Sequence, residues 1–164
     1  MKPFLTAIMI FSFLHNFLFA EALDIGSSAP QVQALTDQGE TIDFGAALSE
    51  GTTLVFFYPK AMTPGCTKQA CSIRDGWDEL EARNVKIFGV SSDTAKTQAE
   101  FKHKYQLPFT LIADIDGAVC NAFGKGRFSR QAYLFKDGIL VWRDLKASTA
   151  GQAGDVLAAL DALK

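Results

Sequence analysis

The chain of 164 residues is short of the groups that build metal centres and hydrolytic triads, with two histidines and three cysteines. One histidine, His15, lies in an N-terminal apolar run, which leaves His103 alone in the remainder. A structural zinc site needs four ligands, and a cysteine–histidine hydrolase needs an imidazole beside its thiol. A single histidine meets neither requirement, and His103 reads as a solvated residue on a polar helix face. No excess of either charge is present: Lys+Arg 16 against Asp+Glu 18 gives a formal net charge of −2. That balance gives no electrostatic grip on nucleic acid or an anionic membrane surface. Repeats, linkers and low-complexity tracts are absent. Asp114-Ile115-Asp116-Gly117 starts like a calcium loop but lacks the later glutamate, so it reads as a turn.

Long apolar runs are missing too, except at the start. Lys2, the run Phe4–Ala20 and then Ala20-Glu21-Ala22 have the charged, apolar and small-x-small order of a secretory signal peptide. An uncleaved membrane anchor is the alternative, but the run is short and broken by Thr6, Ser12, His15 and Asn16. The expectation is a leader over residues 1–22, cleaved after Ala22 or Ala20. Export to the periplasm or the exterior would follow, with no stable membrane association afterwards. Residues 23–164 suffice for one domain with a real core.

What is present converges on Phe56 to Asp75. An apolar strand ends at Pro59, which cannot donate to a sheet ladder. A helix then starts, with Thr63 as N-cap, Pro64 at the first helical position, and Gly65 leaving room for a close approach to the backbone. Cys66 falls in the first turn, where unpaired N–H groups and the helix dipole favour a thiolate nucleophile. Cys66, Ala70, Ile73, Trp77 and Leu80 make one buried stripe, while Thr67, Cys71, Arg74 and Asp78 fall on a wetter side. Five helical residues separate Cys66 and Cys71 by about 7.5 Å of rise and roughly 140° of rotation. Their Cα atoms would lie about 8.5 Å apart, too far for a disulfide unless the helix unwinds.

The remaining elements alternate. A hairpin is expected over Gln31–Leu35 and Glu40–Asp43, strands over Thr52–Tyr58, Val85–Ser91 and Phe109–Ala113, and a second hairpin over Gln131–Phe135 and Ile139–Asp144. Helices are expected over Cys66–Asn84, Ala95–Tyr105, Ala118–Phe123 and Gln152–Leu163. This order predicts an α/β fold: a central mixed sheet flanked by helices, with an N-terminal β-hairpin. Trp77, Trp142 and the phenylalanines read as core, and Cys120 as a small buried group.

Pro59-Lys60-Ala61-Met62-Thr63-Pro64-Gly65-Cys66 fits P-x-x-x-T-x-x-C, and Thr-Pro-Gly-Cys-Thr is followed by a second cysteine five residues on. With Gly89-Val90-Ser91-Ser92-Asp93, Lys104-Tyr105-Gln106-Leu107-Pro108-Phe109 and Arg130 ahead of Ala132-Tyr133-Leu134-Phe135, the chain resembles the peroxiredoxins, in particular the peroxiredoxin Q or bacterioferritin-comigratory group. The resemblance implies a thioredoxin-like fold and a thiol peroxidase acting on H2O2 and alkyl hydroperoxides. It implies Cys66 as the peroxidatic and Cys71 as the resolving cysteine, joined in an intramolecular disulfide. Thr63 and the Cys66 N–H would hold the peroxide, Pro59 would shield the sulfur, and Arg130 would support it. Arg130 rests on the resemblance alone, with Arg127 as its neighbour and rival. No metal or organic cofactor is implied; electrons would come from a thioredoxin-like or other dithiol donor, and the subfamily leans toward a monomer.

Other readings of the same residues are an inert Cys71 with external resolution, a thiol–disulfide oxidoreductase for protein substrates, or a non-catalytic domain stapled by Cys66–Cys71. The C-x-x-C spacing of the second is absent, and the staple of the third would break the helix that the apolar stripe demands. The chain departs from the family at Ala29-Pro30-Gln31-Val32, at Gln131-Ala132-Tyr133 and at Phe135-Lys136. Its leader is a further departure, since many relatives are cytoplasmic.

Overall fold

The computed structural model describes residues 21–126 and 128–164. The expected leader lies outside the described residues except for Glu21 and Ala22, and so does Arg127. The organising strand is β3, Thr52–Phe57, a run of β-branched and aromatic residues buried almost end to end. It pairs in parallel with β4, Val85–Ser91, and antiparallel with β6, Gln131–Lys136. Outside these lie β5, Thr110–Ala113, and β7, Ile139–Asp144, giving the order β5-β4-β3-β6-β7. A separate two-stranded ribbon joins β1, Gln33–Leu35, to β2, Thr41–Asp43. The expected fold class, a mixed sheet flanked by helices with an N-terminal hairpin, is what the structure shows.

Strand alternation sends successive β3 residues to opposite layers. Leu54, Phe56 and Tyr58 enter a core with Cys66, Ala70, Ile73, Leu80, Phe101 and Val156. Those residues come from α2, Pro64–Asp75; α3, Trp77–Ala82; α4, Ala95–Tyr105; and α6, Gln152–Ala162. Val55 and Phe57 face the other layer, with Phe44 and Leu48 of α1, Phe44–Leu48, and Val119 and Cys120 of α5, Ala118–Ala122. Cys66 therefore stands on the α2 side of the sheet, directly over its central strand.

The single long helix expected over Cys66–Asn84 is two helices, broken at Gly76. A Cβ at Gly76 would lie 2.8 Å from the Ala153 Cβ, so the absent side chain lets the start of α6 press against α2 there. Sequence periodicity carried the apolar stripe through the break because Trp77 and Leu80 still face the same core. Helix α1 was missed; its five residues are too few for a periodic signal, although Asp43 caps it by accepting from Ala46 N at 2.9 Å. The Asp114 turn carries a capping role: its carboxylate accepts from Val119 N at 2.8 Å and Cys120 N at 2.9 Å, fixing the start of α5.

Candidate active site

After β3 the chain passes through half-buried Pro59 into a tight loop ending at Thr63. Met62 adopts a φ of 66°, a conformation that costs a residue with a side chain on the order of 1 kcal/mol or more. Two bonds hold it there. Ala61 N donates to Asp93 Oδ2 at 2.7 Å, and the Thr63 hydroxyl donates to Lys60 O at 2.8 Å. Asp93 Oδ2 also accepts from Ser91 Oγ at 2.7 Å. Behind this lies a buried polar set: Tyr58 donates to Gln98 Oε1 at 2.5 Å, and Gln98 Nε2 reaches Ser91 Oγ at 2.9 Å and Ile112 O at 2.8 Å. Burial pushes the Tyr58 hydroxyl well above its ordinary value, so it stays a donor to Gln98.

Thr63 occupies the N-cap position of α2, as expected, but its side chain does not cap the helix. The hydroxyl turns back to Lys60 O, and the first helical bond runs from Thr67 N to Thr63 O at 2.9 Å. Pro64 brings no N–H, and the Gly65 and Cys66 N–H groups belong to the first turn, where intrahelical partners are lacking. Cys66 itself is closed off, 2% exposed, against the core.

The charged partner comes from far along the chain. Arg130, just before β6, directs Nη1 to Cys66 Sγ at 3.6 Å and to Gln69 Oε1 at 2.7 Å. A guanidinium so placed stabilises negative charge on the sulfur and on an oxygen bound beside it. Gly65 makes the approach possible: a Cβ there would lie 3.3 Å from Arg130 Nη2. The room that Gly65 was expected to leave is occupied by this side chain. Arg127, the rival, lies outside the described residues.

Cys71 is half-buried on the outer side of α2, and all three cysteines are free thiols. Burial pushes the Cys71 thiol up from its ordinary value, partly offset by the Arg74 guanidinium. Cys120 is on the opposite face of the sheet, in the α5 layer. Its thiol is pushed up to about 11 by burial and by its hydrogen bond to Asp114, with Lys125 Nζ at 3.6 Å working the other way. His103 is exposed, as its helix face suggested. Two larger surface clefts, one beside Gln33 and Asp114 and one beside Arg83 and Leu160, do not include Cys66.

Sequence reasoning missed Gln69, Asp93, Gln98 and Gln152 as parts of this region. Gln69 carried a signal: three residues from Cys66, it is a polar side chain on the helix face that also carries Ala70 and Ile73. Asp93 stood at the end of the Gly89–Asp93 block with no role assigned to it; Gln98 and Gln152 left no local trace, because tertiary packing alone brings them into place.

A cysteine enclosed in the first turn of a helix, faced by a guanidinium and mounted over a central mixed sheet, defines a thiol peroxidase of thioredoxin-like fold. Residues 25–143 match the AhpC/TSA family, and the chain belongs to that family, the peroxiredoxins. A putative peroxiredoxin Bcp of Coxiella burnetii is 40% identical over 114 residues, covering 67% of this chain and 75% of that one. Among solved structures, the peroxidoxin BcpB of Mycobacterium tuberculosis superposes with a TM-score of 0.79 at 28% identity, covering 87% of this chain and 99% of that one. The bacterioferritin comigratory protein of Xanthomonas campestris, studied for alkyl peroxide reduction, gives a TM-score of 0.77 at 29% identity over 86% of this chain and 97% of its own.

Proposed function

We propose that this peroxiredoxin reduces H2O2 and alkyl hydroperoxides through Cys66 sulfenic acid and a Cys66–Cys71 disulfide. The observation that carries the reading is Arg130 Nη1 at 3.6 Å from Cys66 Sγ, within the first turn of α2. The Cys66 thiolate attacks one peroxide oxygen; the S–O bond forms as the O–O bond breaks, and the leaving oxygen takes a proton to depart as water or alcohol. Charge gathers on that leaving oxygen, where the Cys66 N–H and the Arg130 fork supply fixed donors. The Thr63 proton is committed to Lys60 O, so Thr63 Oγ1 is left to accept the hydrogen of the hydroperoxide. Pro59, half-buried just after β3, would shield the sulfur, the role that the family resemblance implies for it. A substrate this small needs no large cleft.

Cys71 thiolate then attacks the Cys66 sulfur and expels hydroxide, which leaves as water, giving the disulfide. The intact helix holds the two sulfurs apart, so its first turns must unwind. Beyond Cys71 the helix is pinned by Arg74 Nη1 on Tyr105 O at 2.9 Å and by Ser72 Oγ accepting from Ala153 N at 3.1 Å. Opening is therefore confined to the segment carrying Cys66. An external dithiol of thioredoxin type restores both thiols by two exchange steps and becomes oxidised itself. No metal or organic cofactor enters the cycle. The signal-peptide pattern adds export to the periplasm or exterior, and the subfamily resemblance adds a monomer.

Stopped-flow fluorescence of the reduced protein with H2O2 tests the reading, since Trp77 and Trp142 both pack against the core that holds Cys66. Oxidation no faster than that of free cysteine would end it. Cys66→Ser is expected to abolish turnover, and Cys71→Ser to stop after one turnover with sulfenic acid trapped by a dimedone-type probe. Reduced and oxidised proteins are expected to differ in helix content by circular dichroism.

A further inference from the structure

We infer that Gln152, the first residue of α6, is a positioning residue for Arg130, acting through Gln69; the inference rests on the peroxidatic role proposed for Cys66. Arginine can only donate hydrogen bonds. Arg130 Nη1 therefore meets the carbonyl oxygen of the Gln69 amide, at 2.7 Å. That choice turns Gln69 Nε2 to the far side as a donor, where it reaches Gln152 Oε1 at 2.8 Å. Both glutamines have no exposed surface. The chain of bonds thus has one permitted direction, from the guanidinium into the start of α6. Gln152 Nε2 has no partner among the described residues, and the carbonyl end of its amide is the part that this arrangement uses. Ala153 N on Ser72 Oγ and the close contact of Ala153 with Gly76 hold Gln152 in place against α2.

The same bonds oppose the second step of the cycle. Gln69 lies between Cys66 and Cys71, in the stretch that must unwind, and unwinding withdraws it from both Arg130 and Gln152. The relay must hold while peroxide reacts and break while the disulfide forms. An acceptor at position 152 thus speeds the first step and slows the second.

The experiment uses the full chain in stopped flow with H2O2, resolving the oxidation and disulfide phases. Gln152→Met keeps the length and loses the acceptor; Gln152→Glu keeps an acceptor oxygen whether or not it is protonated. Gln152→Met is expected to slow oxidation about fivefold, the worth of roughly one net hydrogen bond, and to quicken the disulfide phase. Gln152→Glu is expected to restore the oxidation rate to within about twofold of the parent, well inside the worth of that bond. Gln69→Met, which cuts the relay one link earlier, is expected to make a further Gln152→Met change silent in the oxidation phase. An unchanged oxidation rate in Gln152→Met, or a Gln152→Glu protein as slow as Gln152→Met, would overturn the inference by reducing Gln152 to packing. Should Gln152→Met not fold, Gln152→Ala, which also lacks the acceptor, takes its place, and effects of Gln69→Met and Gln152→Ala that add in the oxidation rate would overturn it equally. Peroxide turnover surviving in Cys66→Ser would instead remove the reading beneath it.

Discussion

Arg130 Nη1 stands 3.6 Å from Cys66 Sγ, although 64 residues of chain separate them. The link between the two runs through the sheet: Arg130 leads into β6, β6 pairs with β3, and β3 leads through Pro59 to the helix that starts with Pro64 and Gly65. Sheet pairing is what sets the guanidinium against the sulfur, and several outcomes depend on it.

Replacing Arg130 by Lys keeps one charge but loses the planar fork that serves Gln69 and the sulfur together. The second-order rate of Cys66 oxidation is expected to fall by about 10²-fold, in the range seen when one transition-state donor is removed. Competition against a catalase of known rate would measure this independently of fluorescence.

Gly65→Ala tests the fit of the same pair. The added methyl would meet Arg130 Nη2 at 3.3 Å, so the guanidinium must move by a few tenths of an ångström. Oxidation is expected to slow by about tenfold, the order of cost expected for displaced catalytic groups. The urea midpoint should hardly change, since alanine suits an early helical position. A loss of rate with no loss of stability is the expected signature.

Asp93→Ala removes the acceptor for Ala61 N and Ser91 Oγ, the brace that holds Met62 in its left-handed conformation. Leaving those donors without a partner is expected to cost about 1–3 kcal/mol of stability in urea denaturation. Oxidation should slow as well, because the loop carrying Thr63 loses its tether to the sheet.

Cys120 gives a pH test whose sign is fixed. A thiol pushed up to about 11 stays protonated, and therefore unreactive, across the range where an ordinary thiol of pKa 9.0 begins to ionise. In a Cys66→Ser/Cys71→Ser protein, iodoacetamide labelling of Cys120 is expected to be very slow at pH 8 and to rise steadily toward pH 11, in step with the thiolate it requires. Lys125→Met removes a nearby group that favours the thiolate, and should make labelling slower still.

Much of this molecule was legible before any coordinates. β4, α4 and β7 fall where residue pattern and punctuation put them, because β4 reads as a buried apolar run, α4 stops ahead of Leu107-Pro108, and Lys136-Asp137-Gly138 marks the turn into β7. Cys66 was legible for the same reason: proline, glycine and threonine around a cysteine constrain the backbone locally. What failed was local as well. The Gly76 break was hidden because the apolar stripe runs straight across it, and the hydroxyl of Thr63 found Lys60 O instead of the helix it precedes.

Local sequence determined that one cysteine would begin a helix behind a buried strand, since backbone propensity and burial act over a few neighbours. It could not determine what would face that cysteine. Arg130, Gln69 and Gln152 come from three distant elements, and their bonds exist only once the sheet has set β6 beside β3 and α6 has packed on α2. A hydrogen bond depends on position to within tenths of an ångström, and only the assembled tertiary structure supplies that.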